Sequence, residues 1–452
     1  MRVEEREREQ VRGGAAGGGQ VRLSRAGVGD TLRVARILLL PTVAQGLVIR
    51  RRLVTLAGRW WQPDARAVRL MQRLRGRYGG GALRLRNPGR PLVLALSTDA
   101  VRTLLSDTEP YSPATVEKTA ALSRFQPHGL LITPGALRAP RRAVNERALD
   151  ADLPVHHLAA AITAKISEEI APLREQMGGR LAWDRFATAY WRAVRRIVLG
   201  DAARDDDELL DLLSMLRRDA NWAQLRPRQD GVRQRFQRRL NAHLARREPG
   251  SLASLLPPPE PVVDPYGQVP HWLFAYDAAA ATVLRTLAML AVHPAQRAWA
   301  AADLRPGESP HRLPRLRACV LETLRLWPTT PAILREGTRP TRWGGGLLPA
   351  RTSFLVYAPF LHRDDQTLPY AHRFEPARWI DANGHDEWST VSFSAGPGRC
   401  PGRNLVLLTT TAILAVLLRD REPRLLSGPS LSPDLPLPVN LDHFGLRLRL
   451  VP

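Results

Sequence analysis

Cys400 is the side chain best placed to do chemistry. It ends a glycine-rich stretch, Phe393-Ser-Ala-Gly-Pro-Gly-Arg-Cys400-Pro-Gly402, and stands just before an apolar run of Leu, Val, Thr and Ala from Asn404 to Leu418. That run predicts a buried helix. The free amides and positive dipole end of its first turn would favour a thiolate over a thiol at Cys400, as a metal ligand requires. Gly396, Gly398 and Gly402 would let the backbone approach a large planar group, because a Cβ there would collide with it. The competing reading is an ordinary buried cysteine. Asp277 is the second candidate, the single acid in the apolar stretch His271 to His293. Lodged among Phe274, Ala275, Ala278, Ala279 and Leu284, it should be desolvated, which raises a carboxyl pKa unless a partner offsets it. Its alternative is a structural ion pair with an arginine. Arg138 and Arg142, four residues apart, would share one helix face and present planar donor forks suited to carboxylates; the alternative is a solvated basic face. Glu322 and Arg325 likewise fall one turn apart.

Helices must position most of these residues. Helical spacing runs over Ala67 to Tyr78, Val155 to Gln176 and Ala182 to Leu199, then around Leu209 to Met215 and Val232 to Leu244. Short strands are expected at Leu83 to Arg86 and Pro91 to Leu96, joined by Asn87-Pro-Gly89, and again at Phe354 to Tyr357. Pro140 inside the expected helix of Arg138 and Arg142 would bend it unless it lies in the first turn. Residues 1–29 are charged and then glycine-rich, which predicts a disordered tail ahead of a single domain over 30–452. After Leu418 the chain reads as an irregular proline-rich tail with a short hairpin.

The chain has 452 residues and a formal charge of +23, carried almost wholly by arginine; Lys118 and Lys165 are its lysines. The arginines are scattered, with no zinc spacing and no aromatic-interleaved basic run, so nucleic acid is not an expected partner. Two cysteines, Cys319 and Cys400, make no disulfide framework, and the lack of a secretory signal points to a reducing cytoplasm. No transmembrane segment is expected: Ile37 to Ile49 is short and interrupted by Pro41 and Gln45. The alternative there is a peripheral surface helix backed by Arg50, Arg51 and Arg52.

Phe393, Gly396, Cys400 and Gly402 fall in register with Phe-x-x-Gly-x-Arg/His-x-Cys-x-Gly, and the segment resembles the cysteine loop of the cytochromes P-450, the haem-thiolate monooxygenases. One position departs: the family's Arg/His is Gly398 here, with Arg399 one place later. The order of further motifs resembles the family over about Asp30 to Pro452. Glu322-x-x-Arg325 and Pro376-Ala-Arg378-Trp379 match its structural triad, and Asp277 matches the acid of its oxygen-binding helix. The threonines that usually follow that acid are Ala278 and Ala279, and Thr282 stands one turn on.

The resemblance implies a mainly α fold with a small β region, the P-450 triangular prism, of the soluble bacterial, actinobacterial-like type. It implies haem b (iron protoporphyrin IX) bound through Cys400 and the Phe393, Gly396 and Gly402 loop. Arg142 and Arg335 would neutralise its propionates, with Arg138 beside them. Asp277 would gate protons, Glu322, Arg325 and Arg378 would hold the core, and Phe274, Ala278, Thr330, Ala332 and Ile333 would line the substrate pocket. The implied activity inserts one atom of O2 into a small organic substrate, with electrons from ferredoxin and ferredoxin reductase in trans. Arg141, Arg399 and Arg403 would offer the ferredoxin a docking surface. Loss of the threonines keeps two alternatives: a peroxide-driven haem enzyme, or a non-catalytic haem or ligand-binding protein of the same fold.

Overall fold

The computed structural model describes residues 21–46, 48–380, 386–428 and 431–452. The helices that build the site are α1 (Arg52–Trp61), α2 (Pro63–Tyr78), α3 (Val116–Leu122), α4 (Arg138–Ala148), α5 (Ala159–Ile170), α6 (Trp183–Leu199), α7 (Asp207–Ala220), α8 (Asp230–Arg246), α9 (Val269–Val292), α10 (Pro314–Leu326) and α11 (Arg403–Leu418). The strands are β1 (Leu23–Arg25), β2 (Ala82–Arg84), β3 (Leu92–Ala95), β4 (Tyr111–Ser112), β5 (Arg180–Ala182), β6 (Ala332–Gly337), β7 (Thr341–Trp343), β8 (Gly346–Leu348), β9 (Ser353–Tyr357), β10 (Glu422–Ser427) and β11 (Arg447–Val451). The fold is mainly helical with a small β region.

The apolar character of α9 and α11 has one cause: both are buried nearly all round. Central α9 packs on α6, α10 and α11, and their Leu, Ile, Val and Ala side chains make the larger core. A smaller core lies under the six-stranded sheet, ordered β1-β2-β3-β9-β6-β4. In β6 the alternation of half-buried and buried residues puts Ile333 and Arg335 on the buried side. Capping fixes two helix starts that matter below: Thr115 accepts the Lys118 amide at α3, and Asp206 accepts the Leu209 amide at α7.

One expectation changes and two are sharpened. Of the tail expected over 1–29, residues 1–20 lie outside the described residues, but Leu23–Arg25 pair in parallel with β2 and a helix starts at Val28. Pro140 is the third residue of α4, within the first turn, where its missing N–H would have had no helical partner anyway. And Tyr266–Val292, interrupted by Asp277 and Arg285, is by length and composition able to cross a bilayer, but 72% of its most apolar window is buried inside the protein, as in a core helix.

Candidate functional site

A cavity of about 1090 Å³ lies between α9 on one side and the cysteine loop with α11 on the other. Cys400 lines it, as do Arg138, Arg142, Arg335, Phe393 and Gly402; Gly396 does not. Phe274, Asp277, Ala278, Thr330, Ala332 and Ile333 line the same cavity.

The loop is folded by its own backbone. The Cys400 amide donates to Phe393 O at 2.9 Å and the Arg399 amide to Gly396 O at 2.9 Å. Burial pushes the Cys400 thiol upward, opposed by the Gly402 backbone N–H and the nearby Arg142 and Arg403 charges. The amide at the helix start favours the thiolate, as expected, but desolvation outweighs it. A coordinated cation would remove that proton outright. The glycines also divide differently from the expectation. Gly396 has a positive φ of 59°, and a Cβ on it would lie 2.4 Å from Leu105 O, so packing against the protein demands it rather than a planar ligand. At Gly398 a Cβ would lie 2.8 Å from Arg335 Nη2. A bare position 398 is thus what lets Arg335 reach across the loop, where its Nη2 donates to Ser394 Oγ at 3.1 Å.

Behind the loop sits a buried polar lock. Arg325 grips Glu322 with two bonds, Nη2 to Oε1 at 2.6 Å and Nε to Oε2 at 2.9 Å, and both side chains are essentially inaccessible. Arg325 donates as well to the carbonyls of His362, Ala371 and Arg373. Glu322 also accepts from the Glu375 amide and from Trp379 Nε1, each at 2.9 Å. Arg378 lies in the field of Glu322 and Arg325, with its guanidinium over the Tyr370 ring. His362 joins this lock to the cysteine loop: its Nε2 accepts the Val391 amide at 2.9 Å.

The cations divide. Arg142 is neutralised by Glu146, Nε to Oε1 at 2.6 Å, and donates to Arg399 O. Arg138 and Arg335 form no ion pair among the described residues, and Arg138 gives one bond to Leu130 O at 3.0 Å. Burial lowers both guanidiniums to about 10, helped by Arg142 on Arg138 and by Arg138 on Arg335. Arg335 is 2% exposed and its Nε is buried without a partner. A third cation, missed in the sequence, joins them. Lys118 lines the cavity, donates to Leu334 O at 2.9 Å and Pro113 O at 3.0 Å, and is pushed well below the usual lysine range by burial, Arg335 and Arg138. Its rarity in an arginine-dominated chain was the one available signal.

On the facing wall Asp277 forms an ion pair with Arg217 of α7. The Arg217 side chain is 5% exposed, and its guanidinium lies 5.1 Å from the Phe274 ring centroid. The Asp277 side chain is 34% exposed, so the isolated, desolvated acid expected from the sequence is replaced by a paired, partly solvated one. Thr282 also faces the cavity, but its hydroxyl donates to Ala278 O at 2.8 Å. Arg141, expected at a docking surface, is 6% exposed and bonded to Val262 O, Val263 O and Thr133 Oγ1; it presents no charge outward.

Residues 308–432 match the family described as Cytochrome P450. Curated relatives include "Probable cytochrome P450 4s3" of Drosophila melanogaster, 30% identical over 39% of this chain and 36% of that protein. Another is "Cyclooctat-9-en-7-ol 5-monooxygenase" of Streptomyces melanosporofaciens, 31% identical over 32% of this chain and 34% of that one. The chain thus matches about a third of the length of these relatives. Among solved structures, a cytochrome P450 from Thermus thermophilus aligns over 85% of this chain and 98% of its own, with 21% identity and a TM-score of 0.63. The retinoic acid-bound cyanobacterial CYP120A1 aligns over 84% and 93%, with 17% identity and a TM-score of 0.68. The fold is thus shared along most of the chain, and the segment that carries the Glu322 lock and the Cys400 loop matches the Cytochrome P450 family.

Proposed function

We propose that the protein is a haem-thiolate monooxygenase that inserts one atom of O2 into a small organic substrate, with electrons from a separate redox partner such as a ferredoxin and its reductase. One observation carries the reading. Cys400 opens into the same cavity as Arg138, Arg335 and Lys118, three cations without carboxylate partners. A cluster of like charges buried without counter-charge is costly, and two propionates would neutralise it. Haem b fits that donor set: Cys400 Sγ would ligate its iron, and Arg138, Arg335 and Lys118 would hold its carboxylates. Arg142, paired to Glu146, is better placed to steady the thiolate. Bound there, the haem supplies the iron at which dioxygen is reduced and cleaved.

The chain's own contribution begins with the loop. The Gly402 N–H, Arg142 and Arg403 stabilise negative charge on Sγ, and the Glu322–Arg325 lock keeps the loop in register. Phe274, Ala278, Ala332, Ile333 and Thr330 form a largely apolar pocket that orients substrate and limits water. Asp277 receives protons from solvent at Oδ1, since Oδ2 is held by Arg217. Relatives named as acting on cyclooctat-9-en-7-ol or bound to retinoic acid support a substrate with an apolar body. The cytoplasm is the proposed location.

A second reading, peroxide-driven turnover, is favoured by Ala278 and by the commitment of Thr282 to Ala278 O. Asp277→Asn tests the two. If Asp277 delivers protons, oxygen-driven turnover falls by about 100-fold or more while peroxide-driven turnover holds. Equal loss in both assays, or none in either, contradicts the role.

A further inference from the structure

Another stretch of the cavity lining carries two arginines and a buried histidine, Arg285, Arg50 and His443. It is walled by the segment before α1, by α9 and by the C-terminal loop. Arg285 stands seven residues after Ala278 on α9, close to two full turns, so the two share a face about 10 Å apart along the axis. Its Nη2 donates to Leu441 O at 2.9 Å and its Nη1 to Trp327 O at 3.5 Å, while its Nε is buried without a partner. Arg50 donates from Nη1 to Gln45 Oε1 at 3.1 Å. His443 is 5% exposed, with its ring against Trp183 and Phe444, and its Nδ1 is buried without a partner. All three line the cavity.

The nearby acids Asp64 and Asp442 lie in their field but make no close pair with them. Asp64 is occupied: it accepts from Tyr357 OH at 3.0 Å, Asn440 Nδ2 at 2.7 Å and Gln45 Nε2 at 3.3 Å. Asp442 accepts the Phe444 amide, and its other oxygen is buried unpaired. Neither forms an ion pair with Arg50 or Arg285 among the described residues. The charge balance of the whole lining points the same way: eleven arginines and Lys118 stand against Asp64, Glu117 and Asp277. Arg285 is lowered to about 10 by burial and then by Arg50, with Asp442 and Asp64 opposing, and His443 is pushed well below its ordinary range by burial, Arg285, Arg50 and Arg52. Cations this close to each other, in a largely apolar cavity, leave donors for an anion that the protein does not provide.

We propose that Arg285, Arg50 and His443 form an anion site for the carboxylate of an organic acid, so that the substrate is an amphiphilic carboxylic acid whose apolar body extends toward Ala278 and Cys400. A planar guanidinium fork suits a carboxylate better than a hydroxyl or an ester. The inference rests on the monooxygenase reading for where the substrate reacts, but its binding test does not.

The test is calorimetric titration of the haem-loaded full chain with octanoate, dodecanoate and hexadecanoate and with their methyl esters. At least one acid should bind about tenfold or more tighter than its ester, the worth of a charge-assisted hydrogen bond. Arg285→Gln should remove that preference and leave ester affinity unchanged; Arg285→Lys should keep part of it. Arg50→Gln should reduce the preference less, and it carries the comparison should Arg285→Gln fail to fold. No acid outbinding its ester, an equal loss for acid and ester in the variants, or loss of haem on replacing Arg285 would each overturn the site. A missing thiolate signature in the reduced carbon monoxide spectrum, with the acid preference intact, would instead fault the haem reading alone.

Discussion

The two walls of the cavity are built on opposite terms. On the cysteine side, every part of the Glu322–Arg325 lock is satisfied: two charge-assisted bonds, three backbone carbonyls on the arginine, and an indole and an amide on the carboxylate. On the α9 side, alanines stand where the family's hydroxyls usually do, the one acid is tied to Arg217, and Arg217, Arg285 and His443 keep buried atoms without partners. A satisfied buried network fixes one geometry, whereas unsatisfied buried groups mark a surface shaped for something else to complete. The lock behind the cysteine loop is satisfied, whereas the cavity lining is left chemically open, chiefly along α9 and also at Arg335 Nε beside the loop.

Breaking the satisfied side should have the largest effect. Glu322→Ala strands Arg325 in the core and should cost about 3 to 5 kcal/mol. Urea unfolding reads it as a fall in the midpoint at unchanged slope. A loss under about 1 kcal/mol, typical of exposed pairs, would show that the lock matters little. On the open side, Ala278→Thr returns a hydroxyl to the cavity face of α9. Oxygen-driven product formation should rise by about 100-fold, with less peroxide released, the low end of what a positioned proton donor contributes. No change would mean that proton delivery does not limit this enzyme. The smallest effect is set by pH. Burial lowers His271 to about 4 from an ordinary 6.5 and pushes His443 well below its own ordinary value. Folded-state values below the unfolded ones mean that the unfolded chain binds more protons, so stability is full above about 6.5 and declines as pH falls toward 4, by at most about 1.4 kcal/mol per pH unit for each histidine. Urea midpoints at pH 7 and pH 5 should differ in that direction, and His271→Gln should narrow the gap. Equal midpoints would contradict it.

What could be read from the sequence tracks how local each interaction is. Cys400, its loop and the helix that follows are one continuous stretch, and Glu322 with Arg325 is one turn of helix, so residue type and spacing were enough to place the helix and the ion pair. Helix positions came through where apolar periodicity was strong; α2 begins at Pro63, ahead of the expected Ala67, because its first turn is polar. The rest depends on long-range packing. Arg217 meets Asp277 across 60 residues, and Lys118 reaches Leu334 O across 216. No spacing rule announces such pairs. Arg142 and Arg138 were distinguishable only once Glu146 was seen to neutralise one and not the other. Gly396 looked like a ligand contact and proved to be demanded by Leu105 O. Trp379 reads as part of a motif, yet its indole bond to Glu322 is visible only in three dimensions.

The central claim is that Cys400 ligates a haem iron through its thiolate. The most direct measurement is the absorption spectrum of the purified, dithionite-reduced protein under carbon monoxide, for the wild type and for Cys400→Ser. The account predicts a Soret band at the long-wavelength position of thiolate-ligated haem, lost in the variant. A protein without haem, a band at the position of histidine-ligated haem, or a long-wavelength band that survives Cys400→Ser would contradict it.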